Sequence, residues 1–109
     1  MGGIITRQAS EAITLAARSA AFVHWFGVER RCAELLCVLV SANGSPLTLP
    51  QLAVLCSATD ASIRLRVHLL RKAMEAEAID RDETGYWLTD VGLAEARNAM
   101  AEMAKSLAA

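Results

Sequence analysis

Five nitrogen-bearing side chains fall between positions 64 and 72 of this chain: Arg64, Arg66, His68, Arg71 and Lys72. A guanidinium group matches paired acceptor oxygens, while a lysine ammonium acts as a point charge. Their shared chemistry is the engagement of an extended anion. Thr59 and Ser62 add hydroxyl groups just upstream, and Arg81 adds a further guanidinium downstream. The remaining chemistry-bearing residues make no comparable set. Cys32, Cys37 and Cys56 form no C-x-x-C pair and no metal-ligand spacing with His24 or His68, which reads as reduced thiols in a core. Asp80, Asp82 and Glu83 lack the glycine and terminal glutamate of a calcium loop and read as a solvated tip. Neither histidine has a nucleophile with an orienting acid beside it. No catalytic residue, metal or cofactor is therefore expected.

The formal net charge is −1, but its distribution is uneven. Residues 1–59 carry four basic and three acidic groups, residues 60–72 four and one, and residues 73–109 three and eight. Screening limits the reach of the distant acids, so the basic segment can still attract phosphate. At 109 residues the chain suits one domain with a modest core. Met1-Gly2-Gly3 lacks the basic start and apolar run of a signal peptide, and the apolar stretches are interrupted by Arg18, His24, Glu29 and Glu34. These features predict a cytoplasmic protein with no membrane span.

The basic segment needs elements to position it. Ser10 caps a first helix over 10–26, stopped by Gly27 and preceded by a tail over 1–9. Ile13, Ala16, Ala20 and Val23 form its apolar stripe. A second helix spans about 29–42, with Cys32, Leu35, Leu36, Leu39 and Val40 inward. Asn43-Gly44-Ser45-Pro46 is a loop, and Leu47-Thr48-Leu49 makes a very short strand or enters the next helix. A short third helix runs from Gln51 to Ser57. After Ser57-Ala58-Thr59-Asp60, Thr59 or Asp60 caps a fourth helix from about Ala61 to Ala78. Its core stripe is Ile63, Val67, Leu70 and Met74. At about 100° per residue, Arg64, His68, Arg71 and Glu75 lie a quarter-turn away, and Arg66 lies on the opposite shoulder. A hairpin follows over 79–88. A last helix over 89–109, capped by Thr89 or Asp90, carries Leu93, Ala96, Met100, Met103 and Leu107 in a coiled-coil-like seam. The fold expected is mainly α: a winged helix-turn-helix over 29–88 with a small β-hairpin and additional N- and C-terminal helices.

Ser62-Ile63-Arg64-Leu65-Arg66-Val67-His68-Leu69-Leu70-Arg71-Lys72-Ala73-Met74, followed by Ile79 and Gly85-Tyr86-Trp87-Leu88, resembles the recognition helix and wing of OmpR/PhoB-type response-regulator effector domains. The likeness covers about 27 of 109 residues. The chain departs from that pattern in having no receiver domain, in opening with a hydrophobic helix rather than a small sheet, and in its acidic wing tip. Tyr86-Trp87-Leu88-Thr89-Asp90-x-Gly92 and the long helix after it are similar to MarR or PadR regulators, which dimerise through terminal helices. The resemblance implies a winged helix-turn-helix transcriptional regulator.

The expected function is sequence-specific binding of double-stranded DNA, with contacts from Thr59, Ser62, Arg64, Arg66, His68, Arg71, Lys72 and Arg81. The expected assembly is a homodimer through Ile13, Ala16, Ala20, Val23, Leu93, Ala96, Met100, Met103 and Leu107. The alternative is a protein-interaction winged helix that docks on transcription or replication machinery, with a protein partner at the acidic wing.

Overall fold

The structure, a computed structural model, describes the backbone of residues 16–108 and the side chains of residues 16–106. Ser10, the tail over 1–9 and the start of the first helix lie outside the described residues. Five helices and one hairpin follow in the order α1 (16–26), α2 (Arg30–Ser41), α3 (Leu49–Leu55), α4 (Asp60–Ala73), β1 (Ile79–Asp82), β2 (Gly85–Leu88) and α5 (Asp90–Ala108). This is the expected mainly helical, winged-helix-like fold with additional terminal helices.

The core follows the helical spacing of the apolar residues. Cys32, Leu35, Leu36 and Leu39 of α2 meet Ile63, Val67 and Leu70 of α4, and Leu52 of α3 closes a third side. Met74 is also buried, although α4 ends at Ala73 rather than Ala78. Met74 turns to extended backbone, which lets Ala78 and Ile79 also reach the core. The Glu75 N–H donates to the Glu95 carboxylate of α5 at 2.7 Å. A turn closed by the Ala78 N–H donating to the Glu75 carbonyl at 3.0 Å follows, and it delivers Ile79 to the core, which a longer helix would have turned away.

Two caps fix the helices flanking the tight turn. Thr48 and Gln51 form a reciprocal capping box: the Gln51 N–H donates to Thr48 Oγ1 at 3.2 Å, and the Thr48 N–H to Gln51 Oε1 at 2.8 Å. This box starts α3 at Leu49, ahead of the expected Gln51. Thr59 caps α4 by accepting from the Ser62 N–H at 3.2 Å. Between them Ser57 takes a left-handed conformation (φ 50), which redirects the chain from α3 into α4.

The hairpin is antiparallel, with Ile79 opposite Leu88 and Asp82 opposite Gly85. Leu47 adds a single-residue bridge to β2, exchanging backbone hydrogen bonds with Tyr86 at 2.9 and 2.8 Å. That approach needs Gly85. Its φ is 131, and a Cβ there would overlap the Leu47 carbonyl. Thr89 then starts α5, accepting from the Gly92 N–H while its hydroxyl donates to the Glu77 carbonyl.

The terminal helices differ in how they are covered. On α1, Ala21 and Phe22 are buried. On α5, Leu93, Ala96 and Ala99 are buried in the same core, and Arg97 donates to Asn43 Oδ1 at 3.1 Å. No helix among the described residues is long and apolar enough to cross a membrane.

Candidate nucleic-acid interface

Helix α4 carries its nitrogen-bearing side chains on three different faces. Arg64, His68 and Lys72 are exposed and recur every fourth residue along one side. Asp60, in the first turn, is the only acid in α4. Neither ion pair found among the described residues, Arg30–Glu34 and Glu102–Lys105, involves α4. Its outward charge is therefore not neutralised within the helix.

Arg71 is half-buried, and its Nε donates to the Ile79 carbonyl at 3.3 Å. Because α4 ends at Ala73, Glu75 does not continue the helix side that carries Arg71, and the guanidinium ties the helix to the base of the hairpin. One edge of Arg71 is occupied in the fold.

Arg66 departs from the expectation entirely. It is 8% exposed, and Nη1 is buried with no hydrogen-bond partner among the described residues. The shoulder of α4 on which it lies faces inward, toward the thiols of Cys32 and Cys56. Burial pushes both thiol pKa values up, against the opposing pull of this guanidinium. Arg66 is thus removed from the set of contact residues. The reason is geometric: α4 is covered on two sides, by α2 and by α3, so the shoulder beyond the core stripe is not free.

Thr59 is exposed and Ser62 half-buried at the start of α4. The Thr59 oxygen is committed to the cap. Arg81 is exposed on β1, with Nη1 3.4 Å from the Tyr86 hydroxyl and its guanidinium carbon 6.0 Å from the Tyr86 ring centre. Around it Asp80, Asp82 and Glu83 are all exposed. Hydrogen bonds from the hydroxyl and the N–H of Thr84 hold the Asp82 carboxyl below its ordinary pKa.

The expected dimer residues also divide. Ala16 and Ala20 are exposed, and Val23 is 36% exposed. They border an open depression of ≈ 760 Å³ between α1 and α2, with Ser19, His24, Arg30 and Glu34. Met100 and Met103 are half-buried. Leu93 and Ala96 are 8% and 0% exposed, which corrects their assignment to an interface between copies. They close the end of the chain's own core beside β2 and the α2–α3 loop. Ile13 and the side chain of Leu107 lie outside the described residues.

Some surface features escaped the sequence reading. Val54 and Leu55 on α3 are 78% and 58% exposed, and Leu65 on α4 is 57% exposed. The signal for Leu65 was present, since it falls off the Ile63, Val67 and Leu70 stripe. Among the described residues no group of three His, Cys, Asp or Glu side chains is placed to hold a metal ion. Comparison with protein-family models, curated proteins and solved structures finds no match to this chain.

Proposed function

We propose that this protein is a cytoplasmic DNA-binding transcriptional regulator that inserts α4 into the major groove of double-stranded DNA. The observation that carries this is the exposed line of Arg64, His68 and Lys72, presented by a helix-turn-helix whose turn and caps are in place. The N-terminal half of such a helix meets base edges. Arg64 lies there and has the fork geometry to read guanine. Lys72 lies near the C-terminal end and engages phosphate as a point charge. His68 stands between them, and the Thr59 and Ser62 end of the helix meets the backbone. Arg71 positions the helix against Ile79. The acidic hairpin stands off the duplex and reaches phosphate only through Arg81.

In this proposal the protein acts as a homodimer. The exposed alanines of α1, Ala16 and Ala20, let a second copy approach closely, with Val23 and the distal part of α5 around Met103 completing the contact. A two-fold pair would present two α4 helices to half-sites about one DNA turn apart.

The test is selection of bound sequences from randomised duplexes, followed by titration of the recovered site. An Arg64→Ala, His68→Ala, Lys72→Ala triple variant that keeps its circular dichroism spectrum should lose specific binding. Unchanged affinity in that variant would remove α4 from the interface. A second reading is favoured by the acidic hairpin and by Val54 and Leu55, which present apolar surface next to the turn. There the domain docks on a protein of the transcription or replication machinery. Retention on heparin that collapses with salt supports the DNA reading, and indifference to polyanions supports the second.

A further inference from the structure

The outermost line of α4 is not purely cationic. Ile63, Val67 and Leu70 face the core, so the side directly opposite carries Ala61, Leu65, His68 and Lys72. Leu65 is 57% exposed, the most exposed large apolar side chain of that helix. It stands beside Arg64 and His68, with Lys72 two turns further along.

We propose that Leu65 reads thymine, taking up the 5-methyl group in the floor of the major groove, so that the recognised half-site places a thymine where Leu65 enters. This rests on the DNA-binding reading and gives it a base preference. The argument is one of complementarity. An apolar protein groove that accepted Leu65 would also have to desolvate the neighbouring cations, which is unfavourable without paired acids. A duplex presents phosphates at the groove edges and apolar groups on its floor. Thymine is the base that offers a methyl group there. The spacing also agrees. Leu65 and Lys72 are separated by about 10 Å along the helix axis, against a groove about 12 Å wide, so one can meet the floor while the other reaches the rim. Ala61, one turn earlier on the same line, is small enough to let the helix sit deep.

The experiment uses the full chain and the best duplex recovered by selection. Each thymine is replaced in turn by deoxyuridine, which keeps base pairing and removes only the methyl group. One or two positions should weaken binding about three- to fivefold, the value of burying one methyl group. Leu65→Ala should bind the thymine and uracil duplexes equally, and Leu65→Gln should do the same. Both changes are at a solvent-exposed position and leave the core intact. Specific binding that is indifferent to every thymine-to-uracil replacement would overturn the inference and leave the DNA reading standing. So would a Leu65→Ala variant that keeps the thymine preference of the parent. Absence of specific binding to any duplex would overturn both, and would direct attention to a protein that fits Leu65, Val54 and Leu55.

Discussion

Helix α4 and the β1–β2 hairpin are pinned together where Arg71 donates to the Ile79 carbonyl, yet they present opposite charge to solvent. The helix exposes Arg64, His68 and Lys72, and the hairpin exposes Asp80, Asp82 and Glu83 around Arg81. In a winged helix both elements can approach a polyanion. Here the acidic hairpin would oppose that approach, so under the proposed function a duplex would be steered toward α4. The hairpin still has structural work. Tyr86 and Leu88 are buried, and Leu47 is paired to Tyr86. The comparison therefore separates the proposed binding element from a supporting one.

The largest effect should come from breaking the support. Gly85→Ala places a Cβ against the Leu47 carbonyl at a φ that side chains rarely adopt. It should cost about 3 kcal/mol or more of stability, read as a lower urea midpoint. A variant as stable as the parent would show that Leu47 and β2 can separate without consequence. DNA binding should fall only in proportion to the fraction unfolded.

The next effect lies within the proposed binding element. Arg64→Ala should weaken the selected site by about 1–3 kcal/mol and relax preference at one base pair. Lys72→Ala should weaken all duplexes alike and lower the salt slope. Equal losses on specific and random DNA for both variants would reduce Arg64 to a phosphate contact.

Arg66 sharpens the same contrast from the inside. It shares a helix with Arg64, two residues away, but its guanidinium is buried and incompletely partnered. Arg66→Met keeps the aliphatic stem and removes a charge that burial disfavours. Stability should be unchanged or raised by up to about 1–2 kcal/mol, with DNA affinity unaltered. A marked loss of specific binding in this variant would return Arg66 to the interface.

Much of this architecture could be read from spacing. The stripe of Ile63, Val67, Leu70 and Met74 is buried as its periodicity implies, and Gly85-Tyr86-Trp87-Leu88 is a strand. Of the two candidates at each helix start, Thr59 rather than Asp60 and Thr89 rather than Asp90 form the caps. What spacing could not supply was which flank of a helix its neighbours would cover. Arg66 and Arg64 are equivalent as residue types, and only the seating of α2 and α3 on α4 distinguishes them. The same holds for Leu93 and Ala96, whose seam is apolar whether it meets this chain or a second copy. Just past the early end of α4, the Glu75 N–H finds its acceptor in Glu95, a residue distant in sequence. The left-handed turn at Ser57 carries no glycine to announce it.

The smallest effects belong to the hairpin tip. Glu83→Lys is the cleanest probe of its charge, because Asp82 is engaged with Thr84 and Asp80 accepts from the Arg81 N–H at 2.7 Å. Glu83→Lys should raise affinity for random duplexes roughly two- to fivefold at low salt and add little at high salt. No gain would mean that the tip points away from bound DNA altogether. Asp82 adds a pH signature. Its pKa is lowered by the hydrogen bonds from Thr84, so the contribution of its carboxylate is complete above the ordinary aspartate range. That contribution is lost as pH falls below about 4 and through the depressed folded value. The side chain is fully exposed, so the effect should stay local. Thr84 should lose its amide protection in acid while the α2 and α4 amides keep theirs, as followed by nuclear magnetic resonance. Loss of Thr84 protection near neutral pH would contradict the lowered pKa, and simultaneous loss throughout α4 would show that the tip and the helix do not behave as separate regions.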